Sequence, residues 1–305
     1  MESDKTDVIA VVGPTASGKT RRAVELARAF NGEIISADSR QVYRSMDIGT
    51  GKDIEEYDGV KHHLIDICEP GEKYNLYRYL TAYRQARSEI ASKGHTTVLC
   101  VGSGMYVEAA LNGFVMPEVP RNEPLRESLA NKSLEELTAI LATMKELHNV
   151  TDVDTVQRAL RAIEIQDFYI LHPELEPTTS AVKEKALVIG IDIPRDQRRA
   201  NITARLDKRL QEGLVEEVKR LLDEGITPDT LIYYGLEYKW VTLYVTGKVS
   251  FAQMRKELET AIHQFAKRQM TWFRGMERRG TSIKWVHYLI DTEELIDKTR
   301  QWLAG

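Results

Sequence analysis

The octapeptide Gly13-Pro14-Thr15-Ala16-Ser17-Gly18-Lys19-Thr20 constrains this chain more than any other stretch. It has the spacing G-x-x-x-x-G-K-[ST] and follows the apolar run Val8–Val12. A helical pattern comes next, with Val24, Ala27 and Phe30 on one side of residues 20–30. Strand, loop and helix in that order are the context of a phosphate-binding P-loop. Backbone N–H groups of such a loop turn toward an anion, and the positive end of the helix favours the same charge. Lys19 is then expected to reach a terminal phosphate as a point charge, and Thr20 to offer its hydroxyl to Mg²⁺. The motif fixes a di- or triphosphate ligand and leaves the reaction open.

Further strands are expected at Glu33–Ser36, Leu64–Ile67, Thr97–Val101 and Leu187–Ile191, with a helix at 76–93 closed by Gly94. Strands alternating with helices predict an α/β fold, a parallel sheet covered by helices on both faces. The 305 residues, 42% hydrophobic, suffice for such a core with room for an insert. The texture changes at Met116-Pro117-Glu118-Val119-Pro120. Ser133-Leu134-Glu135-Glu136 then reads as a capping box, and a helix is expected over 154–170. The expected organisation is a discontinuous core, 1–116 with 187–305, around a helical insert at 117–186.

After the last strand the pattern is helical. Residues 204–224 place Leu206, Leu210, Leu214, Val218 and Leu221 on one side. Residues 250–274 do the same with Met254, Leu258, Ile262, Phe265 and Trp272, while Lys267, Thr271 and Arg274 share another face. The net charge of −4 does not announce a nucleic-acid binder, but Arg195–Arg209 and Lys267–Arg279 are locally basic. A solvated helix face is the default reading of such runs. No run approaches the roughly 20 apolar residues of a membrane span. Two cysteines, Cys68 and Cys100, and a polar N-terminus without a signal-peptide pattern lead to the expectation of a reduced cytoplasmic protein. No coiled seam suggests self-association, so a monomer is expected.

Ligands of open α/β sheets lie at the carboxyl ends of the strands, which brings Asp38 toward the P-loop. There it would hold Mg²⁺ through water, act as a general base, or simply cap a helix. The strand at 97–101 ends in Gly102-Ser103-Gly104, where a hydrolase of nucleoside triphosphates often carries an acid. That weakens a hydrolysis reading and leaves a small hydroxyl near the phosphate site.

With these motifs in order, the chain resembles the tRNA dimethylallyltransferase (tRNA isopentenyltransferase) family over most of its length. The resemblance is carried by the P-loop, by Ile35-Ser36-Ala37-Asp38-Ser39 with Gln41-Val42-Tyr43, and by Met46-Asp47-Ile48-Gly49-Thr50-Gly51-Lys52. His62-His63-Leu64-Ile65-Asp66, Arg158 with Arg161-Ala162-Ile163-Glu164, and Ala266-Lys267-Arg268-Gln269-Met270-Thr271-Trp272-Phe273-Arg274 complete it. Three motifs depart from the family pattern. Val101 replaces the first glycine of Gly-Gly-Thr-Gly-Leu-Tyr, and Ser103 its threonine. Asp154-Thr155 stands for an Asn-Asp pair, and Glu237-Tyr238-Lys239 for Gly-Tyr-Lys.

The resemblance implies transfer of a dimethylallyl group from dimethylallyl diphosphate to N6 of the adenosine beside the anticodon, with Mg²⁺ as cofactor. It implies Asp38 as the base, and Ser103 and Lys19 as further catalytic groups. Gly13 to Thr20 would hold the diphosphate, with Thr20 on the metal. Asp38, Ser39, Arg40, Gln41, Ser103, Arg126, Gln157, Arg158, Arg161, Lys267, Arg268, Gln269 and Arg274 would meet the anticodon stem-loop of tRNA. A P-loop kinase of a small metabolite, a prenyltransferase acting on free adenine nucleotides, and an RNA-binding protein with a relict nucleotide site are the competing readings.

Overall fold

The computed structural model describes residues 8–147, 151–175, 178–179 and 183–304. Six strands form one parallel sheet: β1 (Val8–Val12), β2 (Gly32–Ala37), β3 (His62–His63), β4 (Thr96–Val101), β7 (Ala186–Asp192) and β8 (Ile283–His287). Their spatial order is β3-β2-β4-β1-β7-β8. Val8 to Val12 are all buried, as befits a central strand covered on both faces. Val11 stands opposite Cys100 on one side and Ile189 on the other, so the carboxyl ends of β1, β4 and β7 lie level. In the same register Ala37 pairs with Val101, which brings the end of β2 to that edge. Every loop that carries an expected catalytic group leaves the sheet there.

Helix α1 (Lys19–Ala29) buries Ala23, Val24, Leu26 and Ala27 against the sheet. Helices α2 (Leu76–Ser92) and α3 (Gly104–Leu111) pack on each other and on the sheet at β2 and β4. Helices α7 (Arg195–Gln211), α8 (Leu214–Asp223), α9 (Pro228–Tyr234), α10 (Leu236–Val245) and α11 (Phe251–Arg278) gather a second apolar core. It includes Leu206, Val218, Leu231, Tyr238, Met254 and Leu258. Helix α12 (Thr292–Ala304) closes the first core through Leu295.

The chain divides into two compact units, Met1–Gly113 with Val182–Gly305, and Phe114–Ala181. The second begins slightly before the expected boundary at 117, because β5 (Phe114–Val115) pairs with β6 (Thr178–Thr179). It contains α4 (Glu123–Leu129), α5 (Leu134–Met144) and α6 (Val156–Leu171) around Leu129, Leu137, Leu141, Ala159 and Ile163. The Ser133–Glu136 capping box is present at the start of α5.

Several expectations are corrected. Residues 64–67 are not a strand. Leu64 and Asp66 take positive φ, and Lys52 reaches Asp66 Oδ1 (2.5 Å), Asp47 Oδ1 (2.6 Å) and the Tyr43 carbonyl (2.6 Å). A buried ammonium needs those three acceptors, and the loop bends to supply them. The helix expected over 204–224 is two helices, broken at Gly213 (φ 105°). Trp272 is partly exposed, and Phe273 takes the buried position expected of it.

Candidate active site

The P-loop runs from the end of β1 into α1, with Ala16 (φ 60°) and Gly18 (φ 78°) left-handed. This backbone is held from two sides. Gln269 accepts from the Thr15 N–H (2.8 Å) and donates to the Gly102 carbonyl (2.8 Å), while Asn201 donates to the Ala16 carbonyl (3.1 Å). Gln269 is only 5% exposed, so it ties the P-loop to the β4–α3 turn rather than presenting itself to RNA. Among the described residues the buried Ser17 hydroxyl has no hydrogen-bond partner.

Beyond the loop lies a cavity of about 260 Å³, lined among others by Lys19, Thr20, Asp38, Ser103, Arg205 and Arg209. Among the described residues no hydrogen bond or salt bridge engages the Lys19 ammonium. Burial pushes that ammonium below the ordinary lysine value, Cys100 opposes the change, and Arg205 reinforces it. Such a cation is stabilised by an arriving anion.

Asp38 leaves β2 with Oδ1 accepting the Arg40 backbone N–H (2.8 Å). Its other oxygen lies over Gly102, where any Cβ would overlap the carboxylate. Glycine is therefore required for this approach. Ser103 follows, its N–H bonded to the Ala37 carbonyl (2.8 Å) and its hydroxyl between the Ser39 N–H (3.3 Å) and Ser39 Oγ (3.4 Å). Asp38, Ser103 and Lys19 thus come from three adjacent strand ends. Gln41 is tied inside the protein, accepting from Ser36 Oγ (2.8 Å) and donating to the Gly51 carbonyl (3.0 Å). Arg40 lines the cavity with its guanidinium over the rings of Tyr233 and Tyr234.

Sequence reasoning assigned no pocket role to Arg205 or Arg209, which it saw only as part of a basic run. Both line the cavity. Arg205 pairs with Asp53 (2.7 Å), and Arg209 stands 3.4 Å from Glu237. Opposite them, Glu217 fixes the loop after Met46. It accepts the N–H groups of Asp47 (2.8 Å), Ile48 (2.8 Å) and Gly49 (3.0 Å) and the Tyr238 hydroxyl (2.7 Å).

On the same unit, an open groove of about 740 Å³ is lined by Lys267, Arg268, Thr271, Trp272, Arg278 and Arg279 among others. Trp272 packs over Gly104, next to Ser103. Arg279 is anchored by Glu108 through two hydrogen bonds (2.6 and 2.7 Å). Arg274 is exposed but does not line the groove. It lies near Arg198, whose guanidinium is depressed first by burial and then by Arg195 and Arg274.

The insert treats its expected RNA contacts differently. Arg126 grips both oxygens of Glu164 (2.9 Å each), and Arg161 reaches Glu164 (2.5 Å) and the Val119 carbonyl (2.8 Å). These two, expected to meet tRNA, are tied into the insert by those bonds. Arg158 makes an exposed pair with Asp154 (2.6 Å), and Gln157 is exposed.

An IPP transferase family model matches residues 41–276, and an isopentenyl transferase model matches 6–65. The chain is similar to a tRNA dimethylallyltransferase 2 of Bacteroides fragilis, 56% identical over 301 residues, 97% of this chain and 98% of that protein. A tRNA dimethylallyltransferase 1 of Parabacteroides distasonis is 53% identical over 305 residues, 97% of each. The crystal structure of a full-length tRNA isopentenylpyrophosphate transferase from Bacillus halodurans matches with a TM-score of 0.72 at 32% identity, covering 99% of this chain and 96% of that one. With a family model across most of the sequence and relatives above half identity along nearly all of it, the chain belongs to the IPP transferase family, the tRNA dimethylallyltransferases.

Proposed function

We propose that this enzyme transfers the dimethylallyl group of dimethylallyl diphosphate to N6 of adenosine 37, beside the anticodon of tRNA. The products are N6-dimethylallyladenosine and diphosphate. The observation that carries the assignment of roles is the convergence of Lys19, Asp38 and Ser103 on one cavity at the carboxyl edge of the sheet.

As the donor's C1–O bond breaks, negative charge grows on the diphosphate. Lys19 and the free N–H groups of the P-loop are placed to stabilise it. The adenine amine is a poor nucleophile, because its lone pair is delocalised into the ring. Asp38 takes the N6 proton as the N6–C1 bond forms. Ser103 orients the amine or a diphosphate oxygen through its hydroxyl. The Thr20 hydroxyl, an oxygen donor in the cavity, suits a hard divalent cation such as Mg²⁺. Bound there, Mg²⁺ would neutralise part of the leaving-group charge. Glu33, His63 and Glu89 also have metal-ligating spacing, but Lys61 and Lys93 already serve the two carboxylates.

The target base is inaccessible while stacked and must be turned out into the cavity. Ser39, Arg40, Lys267, Arg268 and Arg274 are exposed or line a cavity and would meet the RNA, as would Gln157 and Arg158 on the insert. Incubation with Mg²⁺, labelled dimethylallyl diphosphate and unmodified tRNA, beside tubes of AMP, ADP and ATP, tests the reading. Label at adenosine 37 supports it. Label only in free nucleotide, or ATP consumption without tRNA, overturns it in favour of a cytokinin-type synthase or a kinase.

A further inference from the structure

We infer that Tyr233, backed by Arg40, is a stacking surface for the nucleobase next to the extruded adenosine. The inference rests on the reading of this enzyme as one that acts on an adenosine of the anticodon loop.

Tyr233 and Tyr234 are neighbours at the end of α9, and their surroundings differ. Tyr234 is buried, whereas Tyr233 is 68% exposed. Tyr234 is fixed from two directions. Its hydroxyl accepts the Gly71 N–H (2.7 Å), and its ring packs on that of Tyr43, with centroids 4.7 Å apart. Tyr43 is itself buried, and its hydroxyl donates to the Glu72 carbonyl (3.0 Å). Tyr233 extends this row of rings outward, its centroid 6.2 Å from that of Tyr234.

Arg40 ties the row to the catalytic cavity. Its guanidinium carbon lies 5.7 Å from the Tyr233 centroid and 5.3 Å from that of Tyr234, within cation–π range. No carboxylate pairs with it among the described residues. Arg40 and Tyr234 both line the cavity, and the Arg40 backbone N–H holds Asp38 Oδ1 (2.8 Å), two residues back along the chain. A single exposed apolar side chain needs no explanation. Tyr233 differs in ending an anchored row beside an unpaired cation, at the rim where the target base must enter.

Turning one nucleotide out of a loop removes a stacking partner from each of its neighbours. An aromatic ring at the rim restores one, and it accepts any base because every base has a π-face. A ring already held by its neighbours loses little freedom when it is covered. The guanidinium packs on the rings with its face, which leaves its N–H edge for a phosphate or a base edge. A free mononucleotide has no neighbouring base, so this surface would serve RNA alone.

The experiment is equilibrium binding of a synthetic anticodon stem-loop to wild type, Tyr233→Phe, Tyr233→Leu and Tyr233→Ala. Two further stem-loops are abasic on the 5′ or the 3′ side of the target adenosine. Tyr233→Ala should bind the intact stem-loop roughly tenfold more weakly, the scale of one lost base–aromatic stack. Tyr233→Phe should stay close to wild type and Tyr233→Leu close to Tyr233→Ala. Melting temperature and pyrophosphate affinity should be unchanged in all three, because the ring is exposed and lies outside the cavity lining. One of the abasic stem-loops should bind wild type weakly already, and Tyr233→Ala should add little to that loss, so the two effects are not additive. Additive losses with both abasic stem-loops overturn the inference. So does wild-type affinity in Tyr233→Ala, or Tyr233→Leu binding as tightly as Tyr233→Phe. A wild-type enzyme that neither binds the intact stem-loop nor transfers label to it would instead sink the RNA reading, and the inference with it.

Discussion

In the insert, Glu164 is 2% exposed and holds Arg126, Arg161 and the Asn122 N–H, so its neighbouring cations are satisfied within the fold. In the core cavity, Lys19 has no hydrogen-bonded partner among the described residues, and Arg209 Nη2 has none. The two regions contain the same residue types in opposite states. A cation whose donors are met by carboxylate and carbonyl oxygens is part of the scaffold. A buried cation whose donors are unmet is stabilised only when an anion arrives. The contrast separates cations satisfied within the fold from cations with unmet donors, and the predictions below disturb one region or the other.

The largest effect is expected in the core. Asp38→Ala should lower the rate of transfer by about 10³-fold, the usual scale for removing a general base. Its melting temperature should stay close to that of wild type, because the lost hydrogen bond to the Arg40 N–H is local. A labelled-transfer assay with a thermal melt checks both. Normal turnover would remove Asp38 as the base.

The reverse is expected of Glu164→Gln. It weakens the shared acceptor of two partly exposed guanidinium groups and should cost about 1 to 2 kcal/mol there, less than breaking a fully buried ion pair because water screens both cations. Hydrogen exchange across 114–181 should accelerate while the core strands keep their protection. Pyrophosphate binding should be unchanged. Equal loosening of β1 and β4 would show that the two units do not open separately.

These outcomes bear on what the sequence disclosed. The P-loop, Asp38 and Ser103 were legible because each depends on a short segment: a strand end and the few residues after it. Arg205 and Arg209 were not, because they lie beside the apolar stripe of Leu206 and Leu210, and a single helix does not reveal what stands across from its flank. Gln269 was read as an RNA contact from its motif, but its two hydrogen bonds lead to Thr15 and Gly102, more than 150 residues away. Strand β8 escaped notice because Lys284 and His287 are exposed within it, as on a sheet edge. The arginines of the insert looked like an RNA surface because the partner that neutralises Arg126 lies 38 residues along the chain.

A smaller effect follows from two buried glutamates, one in each unit. Burial alone would raise the carboxyl of Glu33, but hydrogen bonds from His63, His95 and Lys93 bring it down to about 2. Burial likewise opposes Arg126 and Arg161 at Glu164, and again the carboxyl falls to about 2. A carboxylate whose folded value lies below its unfolded one stabilises the fold above the unfolded value, and that stability is lost as pH falls through the folded one. Both units should therefore lose stability between about pH 4.5 and 2. In Glu164→Gln the insert should lose that dependence while the core, through Glu33, keeps it. Hydrogen exchange at stepped pH distinguishes the two. A wild-type insert that shows no weakening over this window contradicts the account of Glu164.

The smallest effect sharpens the comparison most, because it concerns cations on the surface. Lys267 and Arg268 are exposed, line the groove beside Trp272, and form no ion pair among the described residues. Arg126 is committed to Glu164. A phosphate contact releases counterions, so each one removed should reduce the salt slope of tRNA binding by roughly 0.7 to 0.9. Lys267→Ala and Arg268→Ala should each do so and weaken binding severalfold at low salt, with stability nearly unchanged. Arg126→Ala should leave the slope as it is and destabilise the insert. Filter binding over a salt series, with a melt for each variant, measures both quantities. If Arg126→Ala flattens the slope and Lys267→Ala does not, a satisfied arginine is leaving its carboxylate to reach RNA. The distinction between scaffold cations and ligand cations would then hold only for the protein without its substrate.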